Sequence, residues 1–121
     1  MVDVNLGPYL QEQLKDADKL QKQIESLMAQ QYQYEVKLRE DKKTLEYLNK
    51  NTEGEEIYRE IGSILVRVKD VESFKKEIEE DVEIAEMKLK SLKDQISQSN
   101  EKLKGMSEEI NKLYQKSGKQ N

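Results

Sequence analysis

The carboxylates of Glu77, Glu79, Glu80, Asp81 and Glu83 crowd one short run, and Tyr32 and Tyr34, with Tyr47 further on, supply aromatic rings. Clustered carboxylates could bind a metal or share acid–base work. Either role needs groups desolvated in a cleft that drives their pKa values apart. On a two-helix rod no such cleft forms, and the run reads as a solvated face. The tyrosines could stack nucleic-acid bases, but neighbouring Glu35, Glu40 and Asp41 repel the phosphates such a ligand brings. The chain contains neither Cys nor His. Thiol chemistry, disulfides, the usual zinc ligands and the commonest proton carrier near neutral pH are therefore missing. No catalytic residue, metal site or cofactor is expected.

What must position any binding surface follows from composition and the spacing of apolar residues. At 121 residues, 35% hydrophobic and 38% charged, the chain suffices for one domain but is too polar to bury a thick globular core. One Pro and five Gly leave few places to break a helix. A net charge of -4 and a pI of 5.1, with no unrelieved block of Lys and Arg, argue against nucleic acid as a partner. Met1 to Asn5 lacks the basic and apolar regions of a secretory leader, and no run of about 18 apolar residues could cross a membrane. A cytoplasmic address without membrane contact is the expectation.

From Tyr9 to Asn49, heptad positions hold Leu10, Ala17, Leu20, Ile24, Leu27, Tyr34, Leu38, Leu45 and Leu48, and Leu14 and Met28 widen the stripe. Gln31 and Asp41 interrupt it. From Val71 to Tyr114 the repeat is tighter: Val71, Ile78, Val82, Ala85, Leu89, Leu92, Ile96, Leu103, Met106, Ile110 and Leu113, broken by Lys75 and Ser99. Such sustained heptads predict a coiled coil and exclude a disordered chain. Gly7-Pro8 suits a helix start, Asp70 can cap a helix at Val71, and Asn49, Asn51 and Gly54 gather where the first helix should stop. Helices of about 40 residues at roughly 1.5 Å each rise ~60 Å, so the two match and can lie antiparallel with Leu10 near Ile110 and Leu113.

The period switches between the helices. Ile57, Tyr58 and Ile61 precede Gly62-Ser63, and Ile64, Leu65, Val66 and Val68 follow, which predicts a β-hairpin around a Gly-containing turn. Apolar groups alternate onto both faces, and two strands cannot cover both. An isolated hairpin is marginal in water with adhesive edges, so pairing with strands of other chains is expected. The fold class is mainly α: an antiparallel two-helix coiled coil with one β-hairpin between the helices. A single domain over 1–121 divides into helix 9–49, linker and hairpin 50–70, helix 71–114 and a polar tail 115–121.

Set between heptad helices of matched length, Glu56-Ile57-Tyr58-Arg59-Glu60-Ile61-Gly62-Ser63-Ile64-Leu65-Val66 resembles the beta-type subunits of the prefoldin family. The family pattern is Val/Ile-Tyr-Lys/Arg followed by Gly and an aliphatic strand, and the likeness spans roughly Leu10 to Leu113. Alpha-type subunits carry two hairpins, whereas Thr52 to Asp70 has room for one. The resemblance implies a hexamer of two alpha-type and four beta-type subunits. Their strands join in a β-barrel platform from which six coiled coils hang. Non-native proteins are held between the tips without ATP and passed to a group II chaperonin. Ile57, Tyr58, Ile61, Gly62, Ile64, Leu65, Val66 and Val68 would belong to the platform, and the chain ends would be the tips.

Along the middle of the helices the heptad residues need no role beyond packing. Near the ends, Val2, Val4, Leu6, Tyr9 and Leu10 can splay from Ile110, Leu113 and Tyr114 and offer apolar groups to unfolded clients. A client of no fixed sequence is held by non-directional burial repeated weakly at several tips. The other reading is a structural or adaptor coiled coil that scaffolds a complex through its hairpin.

Overall fold

The computed structural model describes residues 7–118. Helix α1 runs Gly7–Leu48, strands β1 (Tyr58–Ile61) and β2 (Ile64–Arg67) follow, and helix α2 runs Val71–Gly118. This is the mainly α architecture expected from the apolar spacing, two long helices with one hairpin between them.

Local chemistry sets the ends of these elements. Pro8 sits in the first turn of α1, where its missing N–H costs nothing. The other end closes with Asn49 N donating to Leu45 O at 2.9 Å and Lys50 N to Tyr47 O at 3.1 Å. Asn51 Oδ1 then accepts from Glu53 N at 3.1 Å, and Gly54 turns the chain with φ of 83°. At the start of α2, Asp70 Oδ1 accepts from Ser73 N at 3.1 Å, and Glu72 follows in the first turn. That is an N-cap reinforced by a charge favourable to the helix dipole.

The packing divides into two compact units, each containing a piece of both helices. The first joins 7–31 to 91–118; Leu20, Ile24, Leu92, Ile110 and Leu113 are its buried core. Leu10, Ala17, Leu27, Ile96, Leu103 and Met106 are half-buried along the same stripes. The second unit, Tyr32–Lys90, buries Leu48, Ile78, Ala85 and Leu89 and carries the hairpin. Leu48 shares a cavity wall with Phe74 and Ile78, while Lys42 Nζ lies 3.4 Å from Glu86 Oε1. Later residues of α1 thus meet earlier residues of α2, the antiparallel order.

The polar interruptions of the seam are local thin places. Gln31 borders a cavity of about 430 Å³ with Lys93, Ile96 and Asn100, and Ser99 borders one of about 380 Å³ with Gln23, Leu27 and Gln95. Asp41 leaves only 18% of its side chain exposed, with Oδ2 3.2 Å from Lys37 Nζ. That oxygen has no hydrogen-bond partner, so its contact with Lys37 is an ion pair only. No helix among the described residues is long and apolar enough to cross a membrane.

Candidate assembly and client-binding surfaces

The strands pair antiparallel with Tyr58 opposite Arg67, Arg59 opposite Val66, Glu60 opposite Leu65 and Ile61 opposite Ile64. Only Gly62 of the Gly62-Ser63 link has positive φ, 59°, the pattern of a two-residue type II′ turn. Val68 N donates to Ile57 O at 2.8 Å and continues the ladder by one step. Alternation then puts Ile57, Arg59, Ile61, Ile64, Val66 and Val68 on one face. Tyr58, Glu60, Leu65 and Arg67 occupy the other. Ile57 and Val68 are half-buried at the base, but Tyr58, Ile61, Ile64, Leu65 and Val66 are exposed, Leu65 to 67%. Among the described residues each strand has a single neighbour, so both outer edges present unpaired backbone groups.

Side chains brace the hairpin against α2. Arg59 Nη1 donates to Glu77 Oε2 at 2.8 Å, and its guanidinium lies 4.9 Å from the centre of the Phe74 ring. This combines a charge-assisted hydrogen bond with a cation–π contact. Beside it, a cavity of about 830 Å³ is lined by apolar Leu48, Ile57 and Ile78 and by acidic Glu40, Glu55 and Asp81. Tyr47 Oη donates to Glu55 Oε2 at 2.6 Å. The hydrogen bond, and then the charge, of Glu55 raise the Tyr47 phenol above its ordinary value, so this hydroxyl is a weaker acid, not a poised base.

At the other end of the helices, Tyr9 and Tyr114 are exposed and Leu10 is half-buried. Ile110 and Leu113 are buried seam residues, available to another molecule only after the last turns separate. Val2, Val4 and Leu6 lie outside the described residues.

The family model described as "Prefoldin subunit" matches residues 11–117. The chain belongs to the prefoldin family. It is similar to the prefoldin subunit beta of Thermoplasma acidophilum, 42% identical over 95 residues that cover 78% of this chain and 77% of that one. With the prefoldin subunit beta of Thermoplasma volcanium it shares 38% identity over 119 residues, 98% of this chain and 96% of that one. Among solved structures, the prefoldin beta subunit from Thermococcus strain KS-1 superposes with a TM-score of 0.75 at 26% identity, covering 90% of this chain and 95% of that one. The beta type inferred from the short linker is thus the type of these prefoldin relatives.

Two features of this prefoldin chain went unnoticed in the spacing. Phe74 is the ring beneath Arg59, and the step from Val71 through Phe74 to Ile78 has the proper three-then-four rhythm. Taking Lys75 as the seam position hid it; both residues are half-buried. Ile84 and Met87, 63% and 73% exposed, form an apolar pair one turn apart on the outer side of α2. Their position off the heptad stripe was the available signal. Glu77, Glu79, Glu80, Asp81 and Glu83 are all exposed, and among the described residues no three acidic groups come together to hold a metal ion.

Proposed function

We propose that the chain is the beta-type subunit of a cytoplasmic, ATP-independent co-chaperone that keeps non-native proteins from aggregating and transfers them to a group II chaperonin. The hairpin residues Ile57, Tyr58, Ile61, Gly62, Ile64, Leu65, Val66 and Val68 join strands of two alpha-type subunits and further beta-type copies, four in all, into a β-barrel platform. Backbone groups at both edges then find partners, and the apolar face from Ile57 to Val68 leaves water. The helices carry the chain ends outward. Val2, Val4, Leu6, Tyr9, Leu10, Ile110, Leu113 and Tyr114 take up apolar client segments there, the last turns parting to release the buried members. No bond is made or broken; holding and release follow from weak burial multiplied over several tips.

The observation that carries this reading is the exposed hairpin with two open edges, in a chain of the prefoldin family. Coexpression with a candidate alpha-type subunit, followed by native mass measurement and light scattering of several unrelated unfolding proteins, tests it. The assembled complex suppresses scattering at near-stoichiometric amounts. Truncation of Met1 to Leu6 with Tyr114 to Asn121 weakens suppression and leaves the oligomer intact. Unchanged client aggregation in the presence of the intact complex refutes the reading. A second reading, an adaptor that scaffolds a complex through its hairpin to one fixed partner, draws on the same exposed strands. It requires that Ile64→Lys with Val66→Lys abolish capture of that partner while scattering suppression stays absent throughout.

A further inference from the structure

We infer that the outer side of α2 pairs antiparallel with the same surface of a second copy of this chain, held in another complex. Ile84 and Met87 are the starting observation. Among the described residues no large apolar side chain is more exposed than Met87, and Ile84 neighbours it at helical spacing, away from the buried seam residues Ile78, Ala85 and Leu89. The pair takes no part in the seam, the hairpin or the chain ends. Around it, charge is divided by position along the helix: Asp81 and Glu83 precede the pair, Lys88 and Lys90 follow it, and all four are exposed. Among the described residues, none of the four forms an ion pair within the chain.

Acids, an apolar pair and cations, read backwards, are cations, an apolar pair and acids. The surface is therefore its own complement when two copies run in opposite directions. Helical spacing puts Glu83 and Lys90 on one flank of the pair and Asp81 and Lys88 on the other. In the antiparallel arrangement Ile84 of each copy packs beside Met87 of its mate, Glu83 faces Lys90, and Asp81 faces Lys88, every contact made twice by the two-fold symmetry. A parallel alignment would instead set Glu80, one turn before Ile84 on the same side, against its own counterpart, and like charges brought together oppose binding. Antiparallel alignment moves the two Glu80 residues to opposite ends of the contact. A uniformly charged surface, cationic or anionic, satisfies one half of this pattern and is repelled by the other, so a second copy is the better occupant. Two apolar side chains from each copy, flanked by exposed ion pairs, make a contact well short of a stable interface by itself. Pairing is therefore concentration-dependent, and it strengthens where one complex presents several copies of the chain. This surface is separate from the hairpin and from the chain ends, and its pairing needs neither client nor chaperonin.

The test uses the complex purified after coexpression of the full-length chain with the alpha-type subunit. Sedimentation velocity over a concentration series reads pairing between complexes. Native mass spectrometry checks that each complex keeps its subunits, and far-UV circular dichroism that the helices persist. The wild-type complex passes reversibly to paired species as concentration rises. Ile84→Gln with Met87→Gln moves the midpoint upward at least about tenfold, as does Asp81→Lys with Glu83→Lys, and suppression of client scattering is unchanged in both. Mixing the second variant with complexes carrying Lys88→Glu and Lys90→Glu restores pairing. Because the chain has no Cys, single replacements report direction. Separately purified complexes carrying Glu83→Cys and Lys90→Cys, mixed and mildly oxidised, give disulfides between beta copies, whereas Glu83→Cys with Lys88→Cys gives few. No pairing of the wild-type complex up to about 1 mM in chain overturns the inference. So does wild-type pairing by the Ile84 and Met87 variant, a mixture that stays unpaired while both members are folded, or preferential cross-linking to position 88. A wild-type complex that pairs but does not protect clients refutes the co-chaperone reading and leaves the pairing standing. Failure to join the alpha-type subunit refutes the hairpin assembly instead, and the series is then read on the full-length chain alone.

Discussion

Leu92→Ala removes the most completely enclosed side chain of the seam, 1% exposed in the unit formed by 7–31 and 91–118. Three carbons leave a buried site, and at roughly 0.8 kcal/mol per buried methylene the transfer loss is about 2–3 kcal/mol. A cavity adds to this in a thick core, where Leu→Ala reaches about 5 kcal/mol. Two helices leave the seam open to water along its flanks and the neighbours can settle, so the expected loss stays near the transfer value. Helix propensity does not offset it, since Leu and Ala are both strong helix formers. Ile84→Ala is the matched control: it also shortens an aliphatic side chain of α2, but one that is 63% exposed. Urea unfolding followed by far-UV circular dichroism, at one protein concentration because assembly couples concentration to stability, reads the difference. Leu92→Ala lowers the midpoint with the slope unchanged, and Ile84→Ala leaves it within about 0.5 kcal/mol of the wild type. Equal losses for the two variants would refute the seam as the source of stability.

Asp41→Leu replaces a largely covered carboxylate, one oxygen of which has no hydrogen-bond partner, with an apolar side chain that continues the stripe from Leu38 to Leu45; unfolding stability rises, by about 1–2 kcal/mol. Gly62→Ala meets nothing within 4 Å of the added carbon, so its cost is the backbone strain of a left-handed φ of 59°, about 1–2 kcal/mol, read as a loss of assembly with helicity intact. Tyr47 titrates above its ordinary value because its hydroxyl donates a hydrogen bond to Glu55 that ionisation would abolish, and because ionisation would also place its charge against the Glu55 carboxylate. The folded value exceeds the unfolded one, so this contact contributes stability below the unfolded pKa and loses it as pH rises through the folded pKa. In a spectrophotometric titration, Glu55→Gln returns one tyrosine to the common range, and no change would refute the assignment.

Heptad steps in the sequence were enough to place the helices, and the β-branched runs about Gly62-Ser63 the hairpin, because each pattern is a local period that one segment shows alone. The beta type was legible for a similar reason: a linker from Thr52 to Asp70 is short whatever surrounds it. What the hairpin does with its apolar residues was only half legible. Strand alternation separated Tyr58 and Leu65 from Ile57 and Ile61, but only the pairing of Ile61 with Ile64 brought Ile57, Ile61, Ile64, Val66 and Val68 to a single face. Register belongs to two strands together and cannot be read from either one.

The tertiary structure also decided which terminal residues are free. Ile110 and Leu113 looked as available as Tyr114 from their position in the chain, yet the opposing helix covers the first two and leaves the tyrosine in water. It likewise placed Arg59 over Phe74 and against Glu77, the latter eighteen residues further along the chain, a brace made by the chain's return and invisible to any local pattern. Periodicity reports which face a residue occupies within its own element. What lies opposite that face depends on contacts closed across the fold, and these determine whether an apolar side chain stabilises the chain or remains exposed for another molecule.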